Sequence, residues 1–263
     1  MNHLTTIFKT RDGGEIPYQT WEKNIGAYKR IALVIQGPFL SMNKNKRMIN
    51  FLLENNFKIY VPELLESRGL DSYIKHLDEF RSFINENEEN IKIIPFSFST
   101  NCLPFLYYCL NFFPVFKLFI LISPILDFFS YPLKGLLYFK KNKKLDIRDE
   151  VLVSGGQDSG IEYPIADQKG MISCKFIRGT RKKQKDIIIE SFLSSLKCSA
   201  GIFYGEEDSM VAINSIDTIT KGADERLVSC FSYPRSRHIL SYGKYYKNFY
   251  RDLKLFIEAH ESF

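Results

Sequence analysis

The sequence has little of several things. Its five cysteines, Cys102, Cys109, Cys174, Cys198 and Cys230, are odd in number and form no Cys-x-x-Cys pair. A disulfide framework is therefore not expected, and a reduced, cytoplasmic setting fits. No group of His, Cys and carboxylate residues has metal-ligand spacing, so no metal is expected. The Gly-rich run SGGQDSG (154–160) lacks the Gly-Lys-Ser/Thr ending of a phosphate loop. Nothing else calls for a cofactor. The basic runs KKNKK and RKKQK lack the aromatic signatures of RNA-binding modules, so nucleic acid is not an expected partner. The N-terminal stretch MNHLTTIFKTRDGGEIPYQ has no apolar core, which argues against a secretory signal.

What is present is ordinary globular material. The 263 residues are 45% hydrophobic and 25% charged, enough for a sizeable core. Phe (23) and Tyr (15) are abundant, which suits aromatic packing or an apolar ligand. The long apolar run from Cys102 to Phe129 exceeds the length of about 20 residues that a membrane span needs. Asn111 and Lys117 interrupt it, and Pro104, Pro114 and Pro124 punctuate it. A buried helix, a turn and a buried strand are expected there instead. The net charge of +6 is concentrated: residues 128–198 hold 14 Lys/Arg against 8 Asp/Glu, and the remainder is balanced. That segment reads as a solvated basic surface or as an attractor for an acidic carrier protein or an anionic membrane surface.

Short apolar runs alternate with helical patterns, which predicts a mostly parallel α/β sheet flanked by helices. HLTTIFKT and EIPYQTWE, split by RDGG, form an initial hairpin. Strands are predicted at 30–37, 57–64, 91–96, 117–124, 199–208 and 226–234. Helices are predicted at 44–56, 70–90, 98–112, 211–221 and 244–259. Regularity lapses between 128 and 198. The domain expectation is thus a core of 1–127 and 199–263 with an inserted basic cap at 128–198.

Three short motifs sit at telling places. ALVIQGPF ends the first buried strand, IFYGEEDSMV carries Gly-x-x-Asp after a late strand, and SYPRSRHIL places His238 in the loop after the next. Together they resemble the α/β-hydrolase superfamily, in the branch of serine aminopeptidases and monoacylglycerol-lipase-like proteins. The likeness covers nearly the whole chain. It implies the α/β-hydrolase fold and a nucleophile–acid–histidine order along the chain. A serine hydroxyl needs a base within hydrogen-bond reach, and that base needs an orienting carboxylate.

The resemblance assigns Ser97, Asp208 and His238 as catalytic, with spacings of 111 and 30 residues. Of the four histidines, only His238 follows a late strand in a loop. Glu206 and Glu207 are rival acids, but the Gly-x-x-Asp register favours Asp208. The usual nucleophile elbow is Gly-x-Ser-x-Gly. In IIPFSFSTN (93–101), Ser97 has Pro95 and Ser99 at the glycine positions. Ser99 is the alternative nucleophile; its flanking positions are Ser97 and Asn101, and it lengthens the strand by two residues. Serine at the second glycine position also occurs in the acyl-transferase/thioesterase of bacterial bioluminescence, to which the chain has a fainter likeness. The expected oxyanion donors are the backbone N–H groups of Phe98 and Phe39, because Pro38, in the matching loop position, has no N–H.

The reading that follows is a serine hydrolase acting on an ester or thioester of a lipid-like acyl chain, with a small acyl compound as substrate. A non-catalytic or weakly active binding protein of the same fold, an aminopeptidase-like hydrolase and a peripheral membrane protein are the alternatives. The sequence leaves the oligomeric state open.

Overall fold

The structure, a computed structural model, describes residues 1–23, 28–37, 41–64, 69–89, 91–112, 116–127, 144–146, 171–189 and 192–260. An initial hairpin is formed by β1 (Asn2–Lys9) and β2 (Glu15–Glu22), paired antiparallel across eight residues. Then come β3 (Arg30–Ile35), α1 (Lys46–Glu54), β4 (Phe57–Pro62), α2 (Leu70–Asn87), β5 (Lys92–Phe98), α3 (Cys102–Asn111) and β6 (Leu118–Ile122). A small antiparallel pair, β7 (Lys144–Asp146) and β8 (Met171–Ser173), precedes α4 (Cys174–Ile187) and the short α5 (Phe192–Ser195). The chain closes with β9 (Ser199–Gly205), α6 (Ile213–Thr220), β10 (Val228–Tyr233) and α7 (Tyr246–His260).

Eight strands make one sheet in the order β1-β2-β4-β3-β5-β6-β9-β10. From β4 to β10 neighbouring strands are parallel, and β2 joins β4 antiparallel. The predicted α/β architecture is thus observed. Strand alternation sorts the core. Ile31, Leu33 and Ile35 of β3 pack with α2, α3 and α4, while Ala32 and Val34 pack with α1 and α7. The apolar run 102–129 resolves into α3, whose first turn accommodates Pro104, and the buried strand β6. No helix among the described residues is long and apolar enough to cross a membrane.

Most of the segment expected as a cap lies outside the described residues. Its later part does not stand apart from the core. Phe176, Ile177 and Ile187 of α4, with Phe192 and Leu193 of α5, are buried in the same cluster as α2 and α3. Helices α2 and α4 approach closely, since a Cβ on Gly179 would lie 3.0 Å from that of Leu70.

At the end of the sheet where β3 and β4 begin, a polar cluster is buried. The Glu88 carboxylate accepts hydrogen bonds from Tyr28 and Tyr60, and Lys58 Nζ lies 2.5 Å from it. Burial opposes ionisation of Glu88. The bonds from Lys58, Tyr28 and Tyr60 outweigh it and hold the carboxyl below its ordinary value. Because the folded value is depressed, the stabilisation is present above the ordinary carboxyl value of 4.5 and is lost as pH falls through the folded value. Glu88→Gln should cost about 3 kcal/mol at pH 7, the size expected for breaking a buried pair. In urea unfolding, the gap between variant and wild type should close progressively below about pH 4.5.

Candidate functional site

Strand β5 sits between β3 and β6, in the middle of the sheet. It runs two residues beyond the predicted end, because Phe98 pairs with Ile122 of β6. Pro95 is tolerated in this central strand. It registers with Leu33 of β3, but pairing with β6 starts only at Phe96, so Pro95 lies ahead of the doubly paired stretch. The chain then turns sharply. Ser99 has φ 56, in the left-handed region, and α3 follows through one tight turn at Ser99–Asn101. A non-glycine residue held in that region at a strand-to-helix junction is strained by about 1–3 kcal/mol, which fits the geometry of a nucleophile elbow.

This register corrects two expectations. Ser97 is not the serine that meets His238. It lies within β5, opposite Ile35 and Leu121, fully buried, and its Oγ has no hydrogen-bond partner. Strand alternation points it into a face of the sheet, not over its edge. Phe98 accordingly precedes the elbow serine, and the residue that follows the serine is Thr100. The Phe98 side chain instead lines the cleft beside Ser99. Phe39, the other expected oxyanion donor, lies outside the described residues.

The structure brings Ser99, His238 and Asp208 together. His238 Nε2 is 2.8 Å from Ser99 Oγ, and His238 Nδ1 is 2.7 Å from Asp208 Oδ2. The chain of bonds is buried: side-chain exposure is 2% for His238 and 0% for Asp208, and Ser99 is buried too. An ionised carboxylate only accepts, so Nδ1 carries the proton and Nε2 is left to accept from the Ser99 hydroxyl. The second Asp208 oxygen accepts from the Met210 N–H at 2.9 Å, which fixes the carboxylate plane.

Three close approaches hold these groups in place. Gly205 and Tyr233 are register partners at the ends of β9 and β10, so the acid loop and the histidine loop leave side by side. They then touch: Glu207 N–H donates to the Ser236 carbonyl at 3.0 Å. A Cβ on Gly205 would stand 2.2 Å from that same oxygen, closer than any real contact. The glycine of Gly-x-x-Asp is therefore a steric requirement. Near Ser99, a Cβ on Gly37 would lie 3.2 Å from the Ser99 Cβ. Asn101, large for its position in the elbow, is buried and donates its amide N–H to the Gln36 carbonyl at 2.6 Å, which ties α3 to the loop after β3.

A small pocket lies beside Ser99 and His238. Its walls are mainly apolar, with Met48, Phe98, Ile122, Leu240 and Phe249, and its polar members include Asn45, Ser123 and Ser241. The histidine loop is clamped beyond it. Arg47 of α1 lies over the rings of Tyr242 and Tyr246 at 4.7 and 4.1 Å and reaches the Ser241 carbonyl. Sequence reasoning missed Ser123, whose hydroxyl donates to the His238 carbonyl at 2.6 Å. The only signal was a Ser-Pro step after a buried strand, which marks a turn and nothing more. Among the described residues no group of His, Cys, Asp and Glu is arranged to hold a metal ion.

No protein-family model matches the chain. No curated protein matches it either. Solved structures do. A soluble variant of monoglyceride lipase from Saccharomyces cerevisiae, in complex with a substrate analog, superposes with a TM-score of 0.77 at 13% identity, covering 99% of this chain and 95% of that one. A highly thermostable carboxyl esterase from Bacillus coagulans gives 0.69 at 13% identity, with 99% of both chains covered. A monoacylglycerol lipase from Paleococcus ferrophilus gives 0.66 at 14% identity, covering 98% of this chain and 100% of that one. At such identities the likeness speaks for the fold, and with the sheet order above it establishes that this chain has the α/β-hydrolase fold.

Proposed function

We propose that the protein is a serine hydrolase that cleaves esters of apolar acyl groups through an acyl-enzyme. The observation that carries this reading is the buried chain Asp208–His238–Ser99, with Ser99 at φ 56 on the elbow. Ser99 Oγ attacks the acyl carbonyl while His238 Nε2 takes its proton. Asp208 keeps Nδ1 protonated and stabilises the imidazolium that forms. His238 returns the proton to the leaving alcohol, and a water then repeats the cycle on the acyl-enzyme. The residue after the nucleophile supplies one oxyanion N–H, which in this register is Thr100. The esterase and lipase structures of the same fold and the apolar walls beside Ser99 support an ester substrate with a hydrocarbon acyl part.

The basic helix α4 adds a reading of the carrier. Lys175, Lys182 and Lys185 are exposed on it, and the sequence of the helix, CKFIRGTRKKQKDI, has one acid. A thioester on an acidic carrier protein would be drawn to such a surface.

Three outcomes are expected. A fluorophosphonate probe should label the wild type at Ser99. Ser99→Ala should abolish labelling and lower kcat by about 10⁴-fold or more, whereas Ser97→Ala should label normally. A label mapped to Ser97, or a folded wild type that never reacts, would sink the reading. Gly205→Ala should push the histidine loop off the acid loop, costing about 1–3 kcal/mol of stability and at least about tenfold in kcat. Replacing Lys175, Lys182 and Lys185 with alanine should raise KM for an acyl-carrier-protein thioester and spare a small neutral ester; equal effects on both would rule out the carrier.

A further inference from the structure

We propose that Ser123 is a positioning residue that mounts the three members of the site on one turn, an inference that rests on the serine-hydrolase reading. Ser123 follows the last residue of β6 and has φ 47, in the left-handed region. It is 2% exposed. A serine held there is under strain, and the Pro124 that follows restricts it further.

The contacts of this turn reach all three limbs. The Ser123 hydroxyl donates to the His238 carbonyl at 2.6 Å. The Ser123 N–H donates to the Phe203 carbonyl at 2.7 Å, on the strand that delivers Asp208. Two residues on, the Ile125 N–H donates to the Ser99 carbonyl at 3.1 Å. Backbone bonds thus fix the turn to the elbow and to β9, and a single side-chain bond fixes the histidine loop to the turn. Ser123 also lines the cleft that Ser99 and His238 share.

The side chain and the backbone make separable contributions. The left-handed φ can be kept without a hydroxyl, because glycine adopts it freely. If Ser123 serves only the turn, Ser123→Gly is harmless. If its hydroxyl sets the height of the imidazole, Ser123→Gly and Ser123→Ala both let His238 drift from Ser99 Oγ. Displacements of about 1 Å at a reacting group cost roughly 10²-fold.

The test uses the full chain with both variants, their folding checked by circular dichroism. Two readouts are taken: the rate of fluorophosphonate labelling, and the low-field NMR signal of the His238 Nδ1–H. Both variants should label about 10–100-fold more slowly, with KM for a p-nitrophenyl ester within twofold of wild type. The Nδ1–H signal should broaden or vanish at the same time. Either variant labelling within twofold of wild type, with the proton signal in place, overturns the role of Ser123. Should the wild type itself never label, the hydrolase reading falls, and the NMR signal alone decides. Its loss in both folded variants upholds Ser123 as the anchor of His238, and its survival in either refutes it.

Discussion

The hydrogen bond from His238 Nδ1 to Asp208 Oδ2 governs how the C-terminal edge of the sheet is built. It is buried, so it must be made well or not at all, because an unpaired carboxylate in that position would be costly. Making it requires the loops after β9 and β10 to leave from register partners and then touch. Touching requires that Gly205 have no side chain. Once the imidazole is fixed, its other nitrogen faces one point in space, and the strained turn at the end of β5 brings Ser99 Oγ to that point.

The two ends of the sheet handle polar groups differently. Where β3 and β4 begin, Glu88 is surrounded by Lys58 and two tyrosines, and burial together with the carboxylate pushes Tyr60 well above the ordinary phenol range. That end concentrates charge to hold elements together. At the other end the polar chain carries its hydrogen bonds beside a small pocket with mainly apolar walls. Left-handed backbone occurs at both ends: Ser99, Ser123 and Arg235 have positive φ here, and Asn56 and Lys197 have it just before β4 and β9.

Much of this was legible in the sequence. The buried strands announced themselves as short apolar runs, and each predicted helix outside residues 128–198 was found within a few residues. Asp208 and His238 stood out through their places after late strands. The elbow register did not. Ser97 and Ser99 lie two residues apart, and only the end of β5 distinguishes them. That end is set by pairing with β6, a partner twenty residues downstream that a local pattern does not contain. Asn101 is bulky for the flanking position after Ser99, yet its amide has an acceptor at the Gln36 carbonyl. At Ser123 the Ser-Pro step marked only a turn, since its role depends on a residue 115 positions away.

Gly205 shows how sequence and shape can part company. The chain keeps the same architecture as lipases and esterases with which it shares about one residue in seven. Apolar side chains in the sheet can be exchanged for others of similar volume, since the core responds to volume more than identity. No such exchange exists where two backbones meet at 2.2 Å from a Cβ that is not there. Such positions admit a single residue, and drift elsewhere makes them easier to find. In a chain this divergent, backbone-to-backbone contacts are the fixed points from which a distant comparison can be aligned.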